Sequence, residues 1–238
     1  MAELKYIKNF ETVTTDPVLF LLHGWGANER DWIPTFPPMF PQLNYVSVRS
    51  PIVIKPGSYM FTDPMTGVTA PWQVTQEGYA WTELPKSMDL NLYSELNFSS
   101  DAQYVFQQAE HGVELMKQLI DELIPVSTKI IPIGFSQGSM MTSMMVRNFS
   151  EKLQAAVMLS GYTHPKPQTK DNDLKDLPVF VGYGDADNVL PQTYLKYLAD
   201  FMASHAKATV KVYPDQEHTV GVPELHDIQE FLNLVISS

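Results

Sequence analysis

A serine, two aspartates and a histidine that could together activate a hydroxyl group follow one another along the chain. Ser136 lies in the segment 134–138, Gly-Phe-Ser-Gln-Gly, and Asp185, Asp187 and His218 come after it. A serine hydroxyl is a weak nucleophile at neutral pH unless an adjacent base removes its proton. A histidine supplies that base, and a carboxylate orients it and stabilises its protonated form. These residue types in this order indicate acyl transfer, provided that the fold brings them together.

The serine motif predicts a sharp turn between a strand and a helix. A β-rich run at 129–133 precedes it and a methionine-rich run at 137–149 follows, which is the context of a nucleophile elbow. Because Gly134 and Gly138 lack a Cβ atom, neighbouring backbone can approach closely, and Ser136 would stand exposed at the tip. The alternative is a glycine-rich turn in which Ser136 only caps the helix, since a three-residue pattern of this kind recurs by chance in about one chain in ten.

A second glycine-rich turn follows the first buried strand. The apolar run 17–22 ends in His23-Gly24-Trp25-Gly26, and a turn of this kind after a strand is where α/β-hydrolases place an oxyanion donor. We expect the backbone N–H of Trp25 to point at the same space as that of Gln137. The alternative is an ordinary glycine-rich connection between a strand and a helix.

The two aspartates and the histidine follow the last two predicted strands. Asp185 and Asp187 come after the strand at 178–184, and His218 comes after the strand at 209–213. Parallel sheets place ligands at the carboxyl ends of their strands, so these side chains and the serine should converge. Spacing does not separate the two aspartates, and either could instead cap the next helix. The histidine could instead be an ordinary surface-loop residue.

The elements that must position these residues alternate between apolar strands and helices. This alternation indicates an α/β fold with a mostly parallel central sheet and helices on both faces. No linker or change in composition divides the chain, so we expect one domain over residues 1–238. The predicted strands are 17–22, 45–49, 129–133, 153–159, 178–184 and 209–213, and the predicted helices are 31–40, 101–123, 137–149, 191–205 and 223–236.

The segment at about 51–98 is rich in proline, glycine and aromatic residues and has no regular period. Long irregular segments inside a compact domain are usually functional, so we expect this one to cover a pocket. Candidate pocket residues are Trp81 and Tyr79 within it and Val189 near the second aspartate. The alternative is that its aromatic side chains only pack the segment onto the body of the domain.

Composition limits the partners and the location. The formal net charge is −11, which argues against nucleic acid and against anionic membrane surfaces. There is no cysteine, and we find neither a signal peptide nor an apolar run long enough to span a bilayer. We therefore expect a cytoplasmic protein without stable membrane insertion. The sequence does not decide between a monomer and a homodimer. No motif for phosphate, dinucleotide or zinc binding occurs, so we expect no cofactor and no metal.

The chain resembles the phospholipase/carboxylesterase family, which includes bacterial carboxylesterases and acyl-protein thioesterases. By this resemblance the fold is that of the α/β-hydrolases, and the catalytic triad is Ser136, Asp187 and His218. The resemblance also implies that the N–H groups of Trp25 and Gln137 form the oxyanion hole. The motifs that carry it are Leu22-His23-Gly24-Trp25-Gly26, Gly78-Tyr79-Ala80-Trp81, Gly134-Phe135-Ser136-Gln137-Gly138, Gly184-Asp185-Ala186-Asp187 through Pro191, and His218.

The predicted function is therefore that of a serine carboxylesterase. It would hydrolyse a small-molecule or acyl-chain ester through an acyl-enzyme. Within the same class the alternatives are an acyl-thioesterase and a lysophospholipase. From another class, the alternative is a non-catalytic binding protein with a hydrolase fold.

Overall fold

The computed structural model describes residues 4–62, 66–83, 100–165, 171 and 174–237. Its strands are β1 (Lys5–Lys8), β2 (Val18–Leu22), β3 (Asn44–Arg49), β4 (Ile52–Ile54), β5 (Gly57–Thr62), β6 (Thr69–Val74), β7 (Gly78–Ala80), β8 (Ile130–Phe135), β9 (Ala156–Leu159), β10 (Pro178–Gly184) and β11 (Lys207–Tyr213). Its helices are α1 (Phe36–Met39), α2 (Ser100–Leu123), α3 (Gln137–Phe149), α4 (Gln192–His205) and α5 (Val222–Ile236), with a 3₁₀ turn at Ser150–Lys152.

Seven of these strands form the central sheet in the order β1-β3-β2-β8-β9-β10-β11. All neighbouring pairs are parallel except β1 and β3. The predicted α/β class with a mostly parallel sheet is thus confirmed. Strand β1 was not predicted, because it is a short edge strand with two lysines and no fully buried residue. Such a strand lacks the apolar signature of the strands in the middle of the sheet.

Helices cover both faces of the sheet, which explains the continuously apolar strands. All five residues of β2 are buried, and successive side chains point to opposite faces. Phe20 joins the cluster that includes the four methionines of α3, whereas Leu19 and Leu21 join the cluster that includes Ile228 of α5. The methionines therefore fill the core. None of the helices in the described ranges has the length and apolar character needed to cross a membrane.

The segment predicted to be irregular contains two small antiparallel sheets. Strands β5 and β6 form a hairpin, and β4 pairs with β7. The prediction was wrong here because most described residues of β5 and β6 are exposed, so their sequence shows little hydrophobic alternation, and because β4 and β7 are very short. Cross-strand pairs such as Tyr59 with Trp72 stabilise the hairpin instead. Tyr93 and Phe98, two other aromatic residues of the segment, lie outside the described residues.

Candidate active site

Ser136 occupies a strained turn between β8 and α3. Its φ and ψ angles are 56° and −118°, which a residue with a Cβ atom adopts only where its surroundings impose it. The Ser136 N–H donates to the Leu159 carbonyl at 2.9 Å. Added Cβ atoms on Gly134 and Gly138 would collide with the carbonyl oxygens of Gly138 and Leu22, respectively. The two glycines of the motif are therefore required by close backbone packing.

His218 and Asp187 are in direct contact. The Nδ1 atom of His218 lies 2.7 Å from Oδ2 of Asp187, which is fully buried. The other carboxylate oxygen, Oδ1, accepts the N–H groups of Val189 at 2.9 Å and Leu190 at 2.8 Å. With Nδ1 donating to the carboxylate, Nε2 of a neutral imidazole remains as the acceptor. The ring of His218 also packs on Phe135, with 4.7 Å between the centroids.

Asp185, the other candidate acid, has a different position. Its side chain is exposed, and its Oδ1 accepts the N–H of Asp215 at 2.8 Å. Asp215 has a positive φ of 58°, so this hydrogen bond holds a strained turn in the loop that precedes His218. The structure thus separates two carboxylates that spacing left equivalent. Asp187 contacts the imidazole, and Asp185 ties the two loops together.

The serine and the histidine line the same cavity, which has a volume of about 450 Å³. The Ser136 hydroxyl forms no hydrogen bond with any residue that the structure describes. Catalytic hydrogen bonds are often long in ligand-free structures and shorten when substrate binds. The arrangement is thus a carboxylate, an imidazole and a hydroxyl at one cavity, with only the first two in hydrogen-bond contact.

Two backbone N–H groups near the serine have no acceptor within the described ranges. They belong to Trp25 and to Gln137. The turn that carries Trp25 passes close to the serine, since a Cβ atom on Gly24 would lie 3.3 Å from Cβ of Ser136. Unpaired N–H groups beside a nucleophile are what an oxyanion hole needs.

The side chain of His23 holds the turn that carries Trp25 in place. Its buried ring donates from Nδ1 to the Gly24 carbonyl at 2.7 Å and accepts the Ser50 N–H on Nε2 at 3.2 Å. Burial lowers the pKa of His23 to about 4, so the imidazole is neutral at physiological pH. The turn is held on its other side by Tyr79, whose backbone exchanges hydrogen bonds of 2.9 Å with Gly26 and Ala27.

The side chain of Gln137 has a function in the site that sequence reasoning missed. The buried amide accepts the Trp81 N–H at 3.0 Å and donates to the carbonyl and the hydroxyl of Thr82 at 3.0 and 2.9 Å. It therefore ties the elbow to the segment after β7. The motif places a glutamine directly after the serine, which was a usable signal for a polar contact, but the sequence does not show its partners.

The predicted pocket residues are only partly at the cavity. Val189 lines it, whereas Trp81 and Tyr79 do not. The Trp81 indole is fully buried and donates to the His23 carbonyl at 2.9 Å. The Tyr79 ring lies under the Arg49 guanidinium, 4.5 Å from its centroid. The prediction was wrong for these two because sequence cannot distinguish an aromatic residue that supports a cavity from one that lines it.

Aromatic rings of the β5–β6 hairpin form the cavity wall instead. Phe61 and Trp72 line the cavity together with Trp25 of the glycine-rich turn. The Trp72 ring packs on both of the others, with centroid distances of 5.6 Å to Trp25 and 5.6 Å to Phe61. The hairpin is thus attached to the turn that carries one of the unpaired N–H groups. Other apolar lining residues are Val105, Phe135, Tyr162, Leu190, Pro191 and Tyr194.

One group among the described residues has the spacing to hold a metal ion, and it lies away from the cavity. It consists of His226, Asp227 and Glu230 on α5, none of which lines the cavity. Asp227 accepts a hydrogen bond from Tyr213 at 2.8 Å, and Glu230 is exposed. Exposed acidic clusters of this kind are common on helices, so this group supports no role in the site.

Residues 76–236 match the family model described as phospholipase/carboxylesterase. The chain belongs to this family. It is therefore an enzyme, a serine hydrolase of the carboxylic ester hydrolase type. A curated relative from Debaryomyces hansenii, acyl-protein thioesterase 1, is 26% identical over 92% of this chain and 90% of its own.

Solved structures show the same fold. Esterase PE8 is 21% identical with a TM-score of 0.69, over 98% of this chain and 99% of its own. The Bacillus cereus carboxylesterase is 18% identical with a TM-score of 0.64, over 98% and 95% of the two chains. At these identities the likeness concerns the fold, and it agrees with the parallel sheet described above.

Proposed function

We propose that this enzyme hydrolyses carboxylic esters through an acyl-enzyme on Ser136, with His218 as the base and Asp187 as its acid partner. The observation that carries the proposal is that the strained serine and the Asp187-bound imidazole line a single cavity. The contact of His218 with the fully buried carboxylate of Asp187 argues against an ordinary surface-loop histidine. A serine that merely caps a helix would not require the positive φ of 56°.

The first step transfers the acyl group to the enzyme. Nε2 of His218 accepts the proton of the Ser136 hydroxyl while Oγ attacks the carbonyl carbon of the ester. Asp187 stabilises the imidazolium that results and holds its orientation through the 2.7 Å contact. The imidazolium then donates its proton to the leaving alcohol as the carbon–oxygen bond breaks. A water molecule repeats these steps on the acyl-enzyme and releases the acid.

Negative charge on the carbonyl oxygen develops next to the unpaired N–H groups of Trp25 and Gln137. Each donor of this kind contributes about 3 kcal/mol to transition-state stabilisation in serine hydrolases. The side-chain hydrogen bonds of Gln137 and the buried ring of His23 hold these two backbone segments in place. The donors are therefore fixed before substrate binds, so little reorganisation is needed during the reaction.

The cavity favours an apolar acyl or alcohol group of modest size. Its volume of about 450 Å³ lies within the range of roughly 300–1,000 Å³ that is usual for small-molecule sites. The wall is largely aromatic and aliphatic, with Trp25, Phe61 and Trp72 on one side. We propose the segment from 51 onward as the cover of this pocket within a single domain.

A thioester is the second candidate substrate, because several curated relatives are acyl-protein thioesterases. The same serine, histidine and N–H groups would act on a thioester carbonyl without change. Matched oxygen and sulfur esters with the same acyl chain, compared by kcat/KM over chains of two to sixteen carbons, would decide between the two. The cytoplasmic location, the lack of nucleic acid partners and the homodimer stay predictions.

The role of Ser136 is tested with a fluorophosphonate probe, which labels only an activated serine. We expect wild type to be labelled and Ser136→Ala to remain unlabelled and inactive. Ser139→Ala is the matched control, since Ser139 lies on the same helix and its buried hydroxyl has no partner among the described residues. Equal labelling of wild type and Ser136→Ala, or none of wild type, would remove the proposal.

A further inference from the structure

A carboxylate that the proposed mechanism does not use lies beneath the loop that carries His218. Glu224, in the first turn of α5, is fully buried. Its Oε2 accepts a hydrogen bond of 2.7 Å from Nε2 of Gln216, whereas Oε1 has no partner within the described ranges. An added Cβ atom on Gly182 of β10 would collide with Oε1, so the carboxylate is pressed against the central sheet. Burial of a carboxylate with so few partners destabilises a fold.

The side chain of Gln216 extends this contact to the histidine loop. Its Nε2 donates a second hydrogen bond, of 3.0 Å, to the carbonyl of Thr219. His218 lies between these two residues in sequence, so the amide closes the loop across it. Both N–H groups of the amide are then in use, one on Glu224 and one on the loop backbone. Loss of the Glu224 acceptor would leave the amide free to rotate away from the loop.

The backbone of Gln216 also meets the loop that carries Asp187. Its carbonyl oxygen accepts the N–H of Ala186 at 3.2 Å, and a Cβ atom on Gly184 would collide with the same oxygen. A shift of Gln216 would therefore disturb the loops of His218 and Asp187 together, and with them the 2.7 Å contact between imidazole and carboxylate.

The burial of the Glu224 carboxylate is unfavourable for the stability of the fold. Burial raises the pKa of Glu224 to about 7, with a smaller rise from the nearby Asp227, and the hydrogen bonds from Gln216 and from the Gly221 backbone oppose this rise. An apolar residue of similar volume at this position would not carry the cost of burying a carboxylate. Besides the Gly221 backbone, its hydrogen-bond partner is the Gln216 amide, which also bonds to the histidine loop.

We propose that Glu224 is a positioning residue for His218 and acts on it through Gln216. The inference rests on the proposed function, in which His218 is the base. Glu224 orients the amide, the amide closes the loop from residue 216 to residue 219, and the closed loop keeps the imidazole between Asp187 and Ser136. Misplacement of a reacting group by about 1 Å can lower the rate by as much as about a hundredfold.

The test uses Glu224→Met and Gln216→Met, which keep volume and remove the hydrogen bond, and the variant carrying both. Glu230→Met, on the exposed side of the same helix, is the matched control. We expect each single variant to lower kcat for a p-nitrophenyl ester about tenfold with KM within about twofold. We expect the double variant to lose about tenfold as well, and not the roughly hundredfold of independent effects. The melting temperature of Glu224→Met should not fall.

Hydrogen–deuterium exchange of the peptide that contains residues 215–219 supplies a readout that does not need activity. It should rise in Glu224→Met and Gln216→Met and stay at the wild-type level in Glu230→Met. Unchanged kcat and unchanged exchange in Glu224→Met, with wild type labelled by the fluorophosphonate, would overturn the inference alone. Additive losses in the double variant would also overturn it. Wild type that is neither labelled nor active would instead remove the proposed function, and the inference with it.

Discussion

Gly184, at the end of β10, lies directly against the carbonyl oxygen of Gln216, with no room for a side chain between them. The strand that leads to Asp187 and the loop that leads to His218 are thus in backbone contact before their side chains meet. The carboxylate and the imidazole are held together by main-chain packing as well as by their own hydrogen bond.

Substitution of Gly184 by alanine should therefore impair both stability and activity. The added methyl group must displace the Gln216 backbone, and overpacking of this kind lowers the free energy of unfolding by about 1–3 kcal/mol. We expect kcat to fall as well, because the loop of His218 moves. Gly57→Ala is the control, since a Cβ atom there meets only atoms at 3.9 Å or beyond. Urea unfolding and ester hydrolysis measure both effects, and equal behaviour of the two variants would contradict this explanation.

The two aspartates after β10 should differ sharply in their effect on the rate. Asp187→Asn would present an amide to Nδ1 of His218 and favour the wrong tautomer, so we expect kcat to fall by about 10³-fold or more. Asp185→Asn keeps the oxygen that accepts the Asp215 N–H, so its kcat should stay within about threefold of wild type. Steady-state kinetics of the two variants under the same conditions decide the matter. A comparable loss in both would show that the acid has been misassigned.

Glu224 should make stability depend on pH. Its pKa is raised from 4.5 to about 7 in the folded protein, so the native state holds this proton more tightly than the unfolded chain. The resulting contribution is fully present below about pH 4.5 and is lost as pH rises through 7. By pH 8 the loss amounts to as much as about 3 kcal/mol. Glu224→Gln removes this titration. The unfolding free energy of the variant should therefore rise relative to that of wild type between pH 5 and pH 8. If the difference in unfolding free energy between the two proteins, measured with urea, stayed constant over this pH range, the raised pKa of Glu224 would be contradicted.

The cavity should discriminate against anionic substrates. Asp31, Glu83 and Glu217 line it, and none of the described lining residues is a lysine or an arginine. Burial raises the pKa of Asp31, and a hydrogen bond from the Asn28 backbone opposes this rise. We expect the p-nitrophenyl half-ester of succinate to have a kcat/KM about tenfold below that of its methyl ester at low salt.

The difference in kcat/KM between the anionic half-ester and its methyl ester should become smaller in 0.5 M NaCl, because salt screens exposed charges. It should also narrow in the variant carrying Asp31→Asn and Glu217→Gln, which leaves the neutral methyl ester nearly unaffected. A gap that responds neither to salt nor to these substitutions would have to come from the shape of the cavity.

The features of this enzyme that could be predicted from its sequence are those set by residues close together in the chain. The apolar run of β2 and the glycines on either side of Ser136 each reflect a local constraint, burial on both faces or close backbone approach. Spacing could not distinguish Asp185 from Asp187, because one residue of chain separates them and only the contact to His218 tells them apart. The resemblance favoured Asp187, and the geometry is consistent with it.

The parts that sequence missed depend on partners far along the chain. Trp81 was predicted as a pocket residue, yet its indole donates to the carbonyl of His23, 58 positions away in the chain. The hydrogen bond between Gln216 and Glu224 joins a loop to a helix eight positions further on, and it is visible only in three dimensions. Strands β5 and β6 escaped prediction because they stand largely in solvent, where hydrophobic alternation is weak.

The placement of the four tryptophans gives the enzyme a built-in optical reporter. Trp25 and Trp72 line the cavity, the Trp81 indole donates to the carbonyl of His23, and Trp32 packs on Phe135 at 5.8 Å. No tryptophan in the chain is remote from the place where an acyl group would sit. Intrinsic emission excited at the indole band should therefore change when the cavity fills, so that binding and turnover can be followed in real time without any attached dye.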